Sequence, residues 1–207
     1  MNDKGMLKFI DDLSSALPAP GGGGASAMVG AFAAAMGLMV SNLTIGKKKY
    51  ESVQEDVQAR KDELVVLQKK LIDLIEEDAK AFLPLAEAYK LPAENEEEQR
   101  YKQQVMEKTL YDASIVPMEI MKNVLQTMEI LSELKDMISR LIISDVGVGI
   151  SLGHAAIESA ILNVYINAGM MKDRTTAENL YQQAEEILRK SNQYKNSVYC
   201  NIVRELK

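Results

Sequence analysis

Between Leu141 and Met171 the only charged side chains are Asp145 and Glu158. A run of that length with so little charge reads as a helix lying deep inside the molecule, and a helix is buried only when several others surround it. The rest of the chain supplies them. Nearly every segment repeats its apolar residues at helical spacing, and the β-branched alternation that marks strands is missing. The expectation is an all-α fold: a single-domain bundle of long antiparallel helices joined by short turns, over residues 1–207. With 207 residues, 47% of them hydrophobic, such a chain can bury roughly 70% of the surface its unfolded form exposes.

The segments follow from punctuation. An amphipathic helix near Met6 to Leu17 stops at Leu-Pro-Ala-Pro-Gly-Gly-Gly-Gly, where the prolines disfavour helix and the glycines permit unusual dihedrals. A helix dominated by Ala and Gly starts at about Ala25, and Lys47, Lys48, Lys49 and Tyr50 follow its end. Small residues let a neighbour approach the backbone closely, which suits a central helix. A long helix is expected from about Val53 to Tyr89, with a possible bend at Pro84. Another spans roughly Glu97 to Met128 with Pro117 inside it, and Ser132 to Arg140 is a connection. The charged, amphipathic stretch from Thr176 to Lys207 is expected to pack as one outer helix.

Charge and cysteine content exclude several classes of function. A formal charge of −6 opposes nucleic acid, since the one basic patch is Lys47 to Lys49. The single cysteine, Cys200, offers neither an internal disulfide nor a zinc spacing and suits a reducing, cytoplasmic setting. The start, MNDKGMLKFIDDL, lacks the pattern of a secretory signal. The most apolar run, Ala27 to Val40, is short of the roughly 20 residues needed to cross a bilayer. It reads as a buried helix, with no membrane partner.

Helical projection picks out the polar groups that face inward. At 100° per residue, Leu71, Leu74, Ile75 and Phe82 fall within about 60° of Asp78, while Asp73, Glu76, Glu77 and Lys80 point elsewhere. A carboxylate on an apolar face is either paired for structural reasons or has a raised pKa and works as an acid or base. On the buried helix, Asp145, Gly149, Leu152, Ala156, Ser159 and Asn163 align, with Asn167 close by. That stripe is either interhelical hydrogen bonding or the floor of a polar pocket. His154, the only histidine, stands four residues before Glu158 and reads as its local partner. The loop Gly21 to Gly24 precedes a helix, so its N–H groups can bind an anion or a carbonyl oxygen, without the lysine of a P-loop.

Leu-Pro-Ala-Pro-Gly-Gly-Gly-Gly-Ala-Ser-Ala, followed by an Ala/Gly-rich helix ending Met-Val-Ser-Asn-Leu-Thr and then Lys-Lys-Lys-Tyr, resembles the opening of the formimidoyltetrahydrofolate cyclodeaminase and methenyltetrahydrofolate cyclohydrolase family. Further stretches resemble the family in the same order: Asp78-Ala-Lys-Ala-Phe82, Ala88-Tyr-Lys-Leu-Pro92, Ala113-Ser-Ile-Val-Pro117, and Ser144-Asp145 ahead of Asn163-Val-Tyr-Ile-Asn167. The resemblance implies an all-α homodimer that binds folate in a groove between helices, with Asp78 as proton donor. The chain departs from the family at Gly24, where a serine is usual, and at Ile138-Ser139, where a Gly-Asn pair is usual. Either change can alter substrate preference or pocket polarity near Asp145.

The implied chemistry concerns the one-carbon unit between N5 and N10 of a tetrahydrofolate substrate, with no permanently bound cofactor and no metal. In cyclodeamination Asp78 protonates the departing ammonia; in hydrolysis of the methenyl bridge it relays protons between water and N5. Asp145 is then expected to orient the pterin or a water. Pro20, Gly21, Gly22 and Gly23, with Ser144 and Asn163, complete the binding site, and Lys48 meets the glutamate tail. The alternative is a non-catalytic folate- or partner-binding helical protein in which Asp78 and Asp145 are satisfied core groups.

Overall fold

The structure, a computed structural model, describes residues 3–207. Met1 and Asn2, at the head of the stretch read against a secretory signal, lie outside the described residues. The helices are α1 (Asp3–Leu13), α2 (Gly22–Thr44), α3 (Gln54–Tyr89), α4 (Glu96–Leu134), α5 (Ile143–Met170), α6 (Arg174–Tyr194) and α7 (Cys200–Leu206). Short 3-10 turns precede α3 and α5, and a π turn, Lys195–Tyr199, joins α6 to α7. No strand occurs among the described residues.

Helices α2, α3, α4 and α5 form an up-down-up-down bundle. Leu64 and Asp78 of α3 lie beside Gly37 and Gly23 of α2, so these two run antiparallel, while Val124 and Leu131 of α4 meet Gly30 and Gly37 in parallel order. Each of the four packs on its two neighbours, and α2 also touches α4 across the bundle. That diagonal contact exists because α2 is thin. A Cβ added at Gly30 would stand 2.5 Å from Val124 Cγ2 and 3.3 Å from Leu71 Cδ2. Gly→Ala in a helix ordinarily gains about 0.5–1 kcal/mol; here overpacking is expected to cost about 1–3 kcal/mol instead. Urea unfolding of Gly30→Ala checks the sign: a raised midpoint would show that α2 and α4 are not in close contact.

Helix α6 packs outside α5, with Tyr165 and Tyr181 in a T-shaped pair at 5.6 Å. His154 is buried here. Its Nδ1 lies 2.8 Å from Ser191 Oγ and its Nε2 3.3 Å from Glu158 Oε1, so it joins α6 as well as its expected neighbour. Burial holds its pKa below the usual imidazole value despite Glu158.

Several boundaries differ from expectation. Helix α1 stops at Leu13, where Ser14 and Ser15 turn their hydroxyls onto the carbonyls of Ile10 and Asp12. Helix α2 begins inside the glycine run, at Gly22, because tertiary contacts hold those residues helical. Helix α4 continues through Ser132 to Leu134, and the expected single outer helix is interrupted by the π turn. The expected apolar run belongs to a longer element than anticipated: α2, with 23 residues and an 18-residue stretch of mean hydropathy 1.6, is long and apolar enough to cross a membrane, as is Arg140–Met170. Of the most apolar 18-residue stretch in each, 56% and 50%, respectively, is buried inside the protein, as in core helices.

Candidate active site

The four-helix bundle opens at one end into a chamber of about 370 Å³. The segment before α2 contributes Pro18, Ala19 and Gly21, and α2 begins there with Gly22. Helix α3 supplies Asp78, Phe82 and Tyr89; α4 supplies Ala113 and Pro117; the last turns of α5 supply Asn163, Ile166 and Asn167. Among the lining residues Asp78 is the one acidic or basic side chain. A larger groove, about 700 Å³, runs between α4 and α6. Its carboxylates are already committed: Glu107 accepts from the backbone of Lys172 and Asp173, Glu119 pairs with Lys122, and Asp173 caps α6.

Asp78 is held by the glycine run. The Gly24 N–H donates to Asp78 Oδ2 at 2.9 Å, closing α2 onto α3. Among the described residues no cation offsets the carboxyl, so burial pushes its pKa above the usual carboxylate range, with the Gly24 N–H pulling the other way. Gly23 leaves room for it, since a Cβ there would sit 2.1 Å from Asp78 Oδ1. The first N–H groups of a helix have no partner within it, so that of Gly22, which lines the chamber, remains a donor at its edge. At Gly22 an added Cβ would meet Asn163 Nδ2 and Oδ1 at 3.4 Å, a measure of how closely α2 and α5 approach.

The structure therefore gathers Gly21, Gly22, Gly23, Asp78 and Asn163 in one place, with Pro20 packed beside Gly24. It does not bring the other expected residues there. Eighteen residues of α5 separate Asp145 from Asn163, about 27 Å of helix, so Asp145 and Ser144 cannot orient a ligand seated on Asp78 within one chain. Lys48 follows the far end of α2, about 35 Å of helix from the chamber. The polar stripe along α5 is likewise no continuous pocket floor. At Gly149 it is sealed against Leu131 and Met36, and only its last turns line the chamber. Of the departures from the family pattern, Gly24 has ordinary van der Waals room for a Cβ, and Ser139 caps the turn that leads into α5, away from the chamber.

Among the lining residues, Tyr89 and Pro117 carried no role in the sequence reading, and Asn167 was placed only beside the polar stripe of α5. Tyr89 is findable by projection, because Asp78, Phe82 and Tyr89 lie within about 40° of one another on α3. Its hydroxyl reaches Met170 Sδ at 3.2 Å across the chamber mouth. Asn167 bonds Ala113, one turn before Pro117, across 54 residues of sequence, a contact that no local pattern reports.

A family model described as Formiminotransferase-cyclodeaminase matches residues 5–186. The chain belongs to this family. Among cyclodeaminase-family relatives, a methenyltetrahydrofolate cyclohydrolase from Methylorubrum extorquens is 36% identical over 194 residues, covering 92% of both chains. A formimidoyltransferase-cyclodeaminase from Mus musculus is 26% identical over 91% of this chain, which spans 35% of that longer protein. The crystal structure of formiminotetrahydrofolate cyclodeaminase from Thermotoga maritima superposes with a TM-score of 0.87 at 28% identity, covering 98% of this chain and 97% of that one.

Proposed function

We propose that the chain is a folate one-carbon enzyme that opens the methenyl bridge of 5,10-methenyltetrahydrofolate, with Asp78 as its proton-transfer group. The observation that carries this is a partly buried carboxyl with a raised pKa, fixed by the Gly24 N–H at the wall of a chamber whose described lining has no other acidic or basic side chain. The full-length similarity to a cyclohydrolase supports the choice of reaction. The methenyl bridge is a delocalised cation, which a partly desolvated carboxylate attracts. Asp78 takes a proton from the water that adds to the bridge carbon. It then returns a proton to N5 as the carbon–N5 bond breaks, leaving the formyl group on N10 and releasing one proton to solvent.

The fold similarity to a cyclodeaminase favours a second reading on the same group. N10 attacks the formimino carbon held on N5, and Asp78 in its protonated form gives its proton to the departing ammonia. Absorbance of the methenyl chromophore separates the two. Enzyme-dependent loss from 5,10-methenyltetrahydrofolate identifies the hydrolase, and gain from 5-formiminotetrahydrofolate identifies the cyclodeaminase. No change in either cuvette would leave the chain a binding protein and defeat both.

A second copy of the chain covers the outer face of α2 and α5 in this proposal. Helix α2 has no charged residue, and Phe32, Leu162 and Ile166 are 41%, 63% and 64% exposed on the two helices. An apolar face of that extent calls for a partner, and a face of two antiparallel helices suits a twofold pairing. Sedimentation is expected to give twice the chain mass, falling to the single-chain mass in Leu162→Glu; a monomeric wild type would refute the pairing.

A further inference from the structure

Pro117 lies inside α4 and has no N–H to give the carbonyl of Ala113, four residues earlier. That carbonyl is satisfied from another helix: Asn167 Nδ2 donates to Ala113 O at 2.9 Å. Asn167 is 9% exposed, and it lines the chamber together with Ala113 and Pro117. The bond decides which way the amide faces. Rotating it by half a turn would set Oδ1 against a carbonyl oxygen, two acceptors in contact, so Nδ2 is locked onto α4. Asn167 Oδ1 is then fixed as an acceptor, and it takes no hydrogen bond among the described residues. Asn163, one turn away, lacks this lock, because its Nδ2 reaches only Ser159 O of its own helix, at 3.3 Å.

We propose that Asn167 is a specificity-determining residue that presents an acceptor-only group to the N–H edge of the bound heterocycle, and that Pro117 positions it by leaving Ala113 without a helical donor. The chemical class that fits is a ring with adjacent amino and imino donors, such as the amino-pyrimidine half of a pterin. A ring with only acceptors on that edge is rejected, because its lone pairs would face Oδ1. Assigning this edge to a pterin rests on the folate reading above, whereas the coupling of Pro117 to Asn167 does not.

The test is a double-mutant cycle on the full chain with 5,10-methenyltetrahydrofolate as probe, after wild-type turnover has established the parent reaction. Asn167→Leu is expected to raise KM about tenfold, the loss of a neutral hydrogen bond or slightly more, with kcat within about threefold of wild type. Pro117→Ala supplies a backbone N–H to Ala113 and frees the amide, so KM rises several-fold while the melting temperature holds or increases. In the Pro117→Ala background, Asn167→Leu should cost much less in KM than it does alone. Additive KM effects, or melting temperatures that fall while KM stays at the wild-type value, would overturn the proposal and make Asn167 a structural brace. An inactive wild type would instead refute the parent reading. In that case the cycle is read from the side-chain amide resonances of Asn167, which should sharpen or shift on Pro117→Ala if the lock is real and stay unchanged if it is not.

Discussion

Gly23→Ala is expected to lower kcat/KM at least about 100-fold, as much as losing the proton-transfer group outright, while the protein stays folded. The new methyl would lie 2.1 Å, 2.6 Å and 2.5 Å from Asp78 Oδ1, Oδ2 and Cγ, so the whole carboxyl must swing away. Doing so releases the Gly24 N–H, a charge-assisted bond of about 1.5–3 kcal/mol. Part of that loss is offset by the helix propensity that alanine adds, about 0.5–1 kcal/mol. The neighbouring substitution is the control. At Gly24 a Cβ meets Pro20 Cβ at 3.6 Å and Ile75 O at 3.7 Å, and the N–H that holds Asp78 is retained. Gly24→Ala or Gly24→Ser should therefore keep near-wild-type turnover and melt slightly higher. Equal activity in Gly23→Ala and Gly24→Ala would show that the position of Asp78 does not govern the reaction.

Asp78→Asn is expected to reduce turnover about 100- to 10,000-fold and to make the fold more stable at neutral pH. The sign follows from the direction of the pKa shift. Burial raises the native pKa of Asp78 above its unfolded value of roughly 3.9. The native state thus holds the proton more tightly, and ionising Asp78 costs stability. That cost is absent below the unfolded pKa, grows as pH rises towards the native pKa, and is complete above it. Urea midpoints of Asp78→Asn and wild type should therefore nearly coincide at low pH and separate, in favour of the variant, at neutral pH. An advantage that is constant, or that shrinks as pH rises, would mean the carboxylate is a paired structural group. Where Asp78 acts as the acid, as in deamination, wild-type kcat falls as pH rises through the native pKa, and the variant lacks that limb.

Helical periodicity was enough to place the main elements, because a bundle core repeats its apolar residues at the spacing that a projection reads. Val53 to Tyr89 was expected and Gln54–Tyr89 is observed; Leu141 to Met171 was expected and Ile143–Met170 is observed. Projection also turned Asp78 towards the interior, and the structure has it there. Projection looks down an axis, however, and says nothing about distance along it. Asp145 and Asn163 share an angle on α5 and are separated by most of its length, so a stripe that looked like one site contains the edge of one and a sealed core contact. The helical start at Gly22 escaped local reasoning for a related reason. Glycine and proline there argue against helix, and the Asp78 contact that holds the turn comes from 54 residues away. The bond from Asn167 to Ala113, which Pro117 leaves without a helical donor, was hidden by the same kind of separation.

In cross-section the four central helices make a rhombus, with α2 and α4 at the ends of the short diagonal and α3 and α5 at the ends of the long one. Gly30 and Gly37 draw the short diagonal in, against Val124 and Leu131. With side lengths set by ordinary helix packing, of 8–10 Å between axes, drawing one diagonal in pushes the other out. The gap spanned between Asp78 on α3 and Asn163 and Asn167 on α5 is that long diagonal, seen at the open end of the bundle. The breadth of molecule that the chamber admits is thus dictated by side chains that are missing from the middle of α2, two turns and four turns below any atom a ligand would touch. A selection for wider or narrower substrates could act on those two positions and leave every lining residue unchanged.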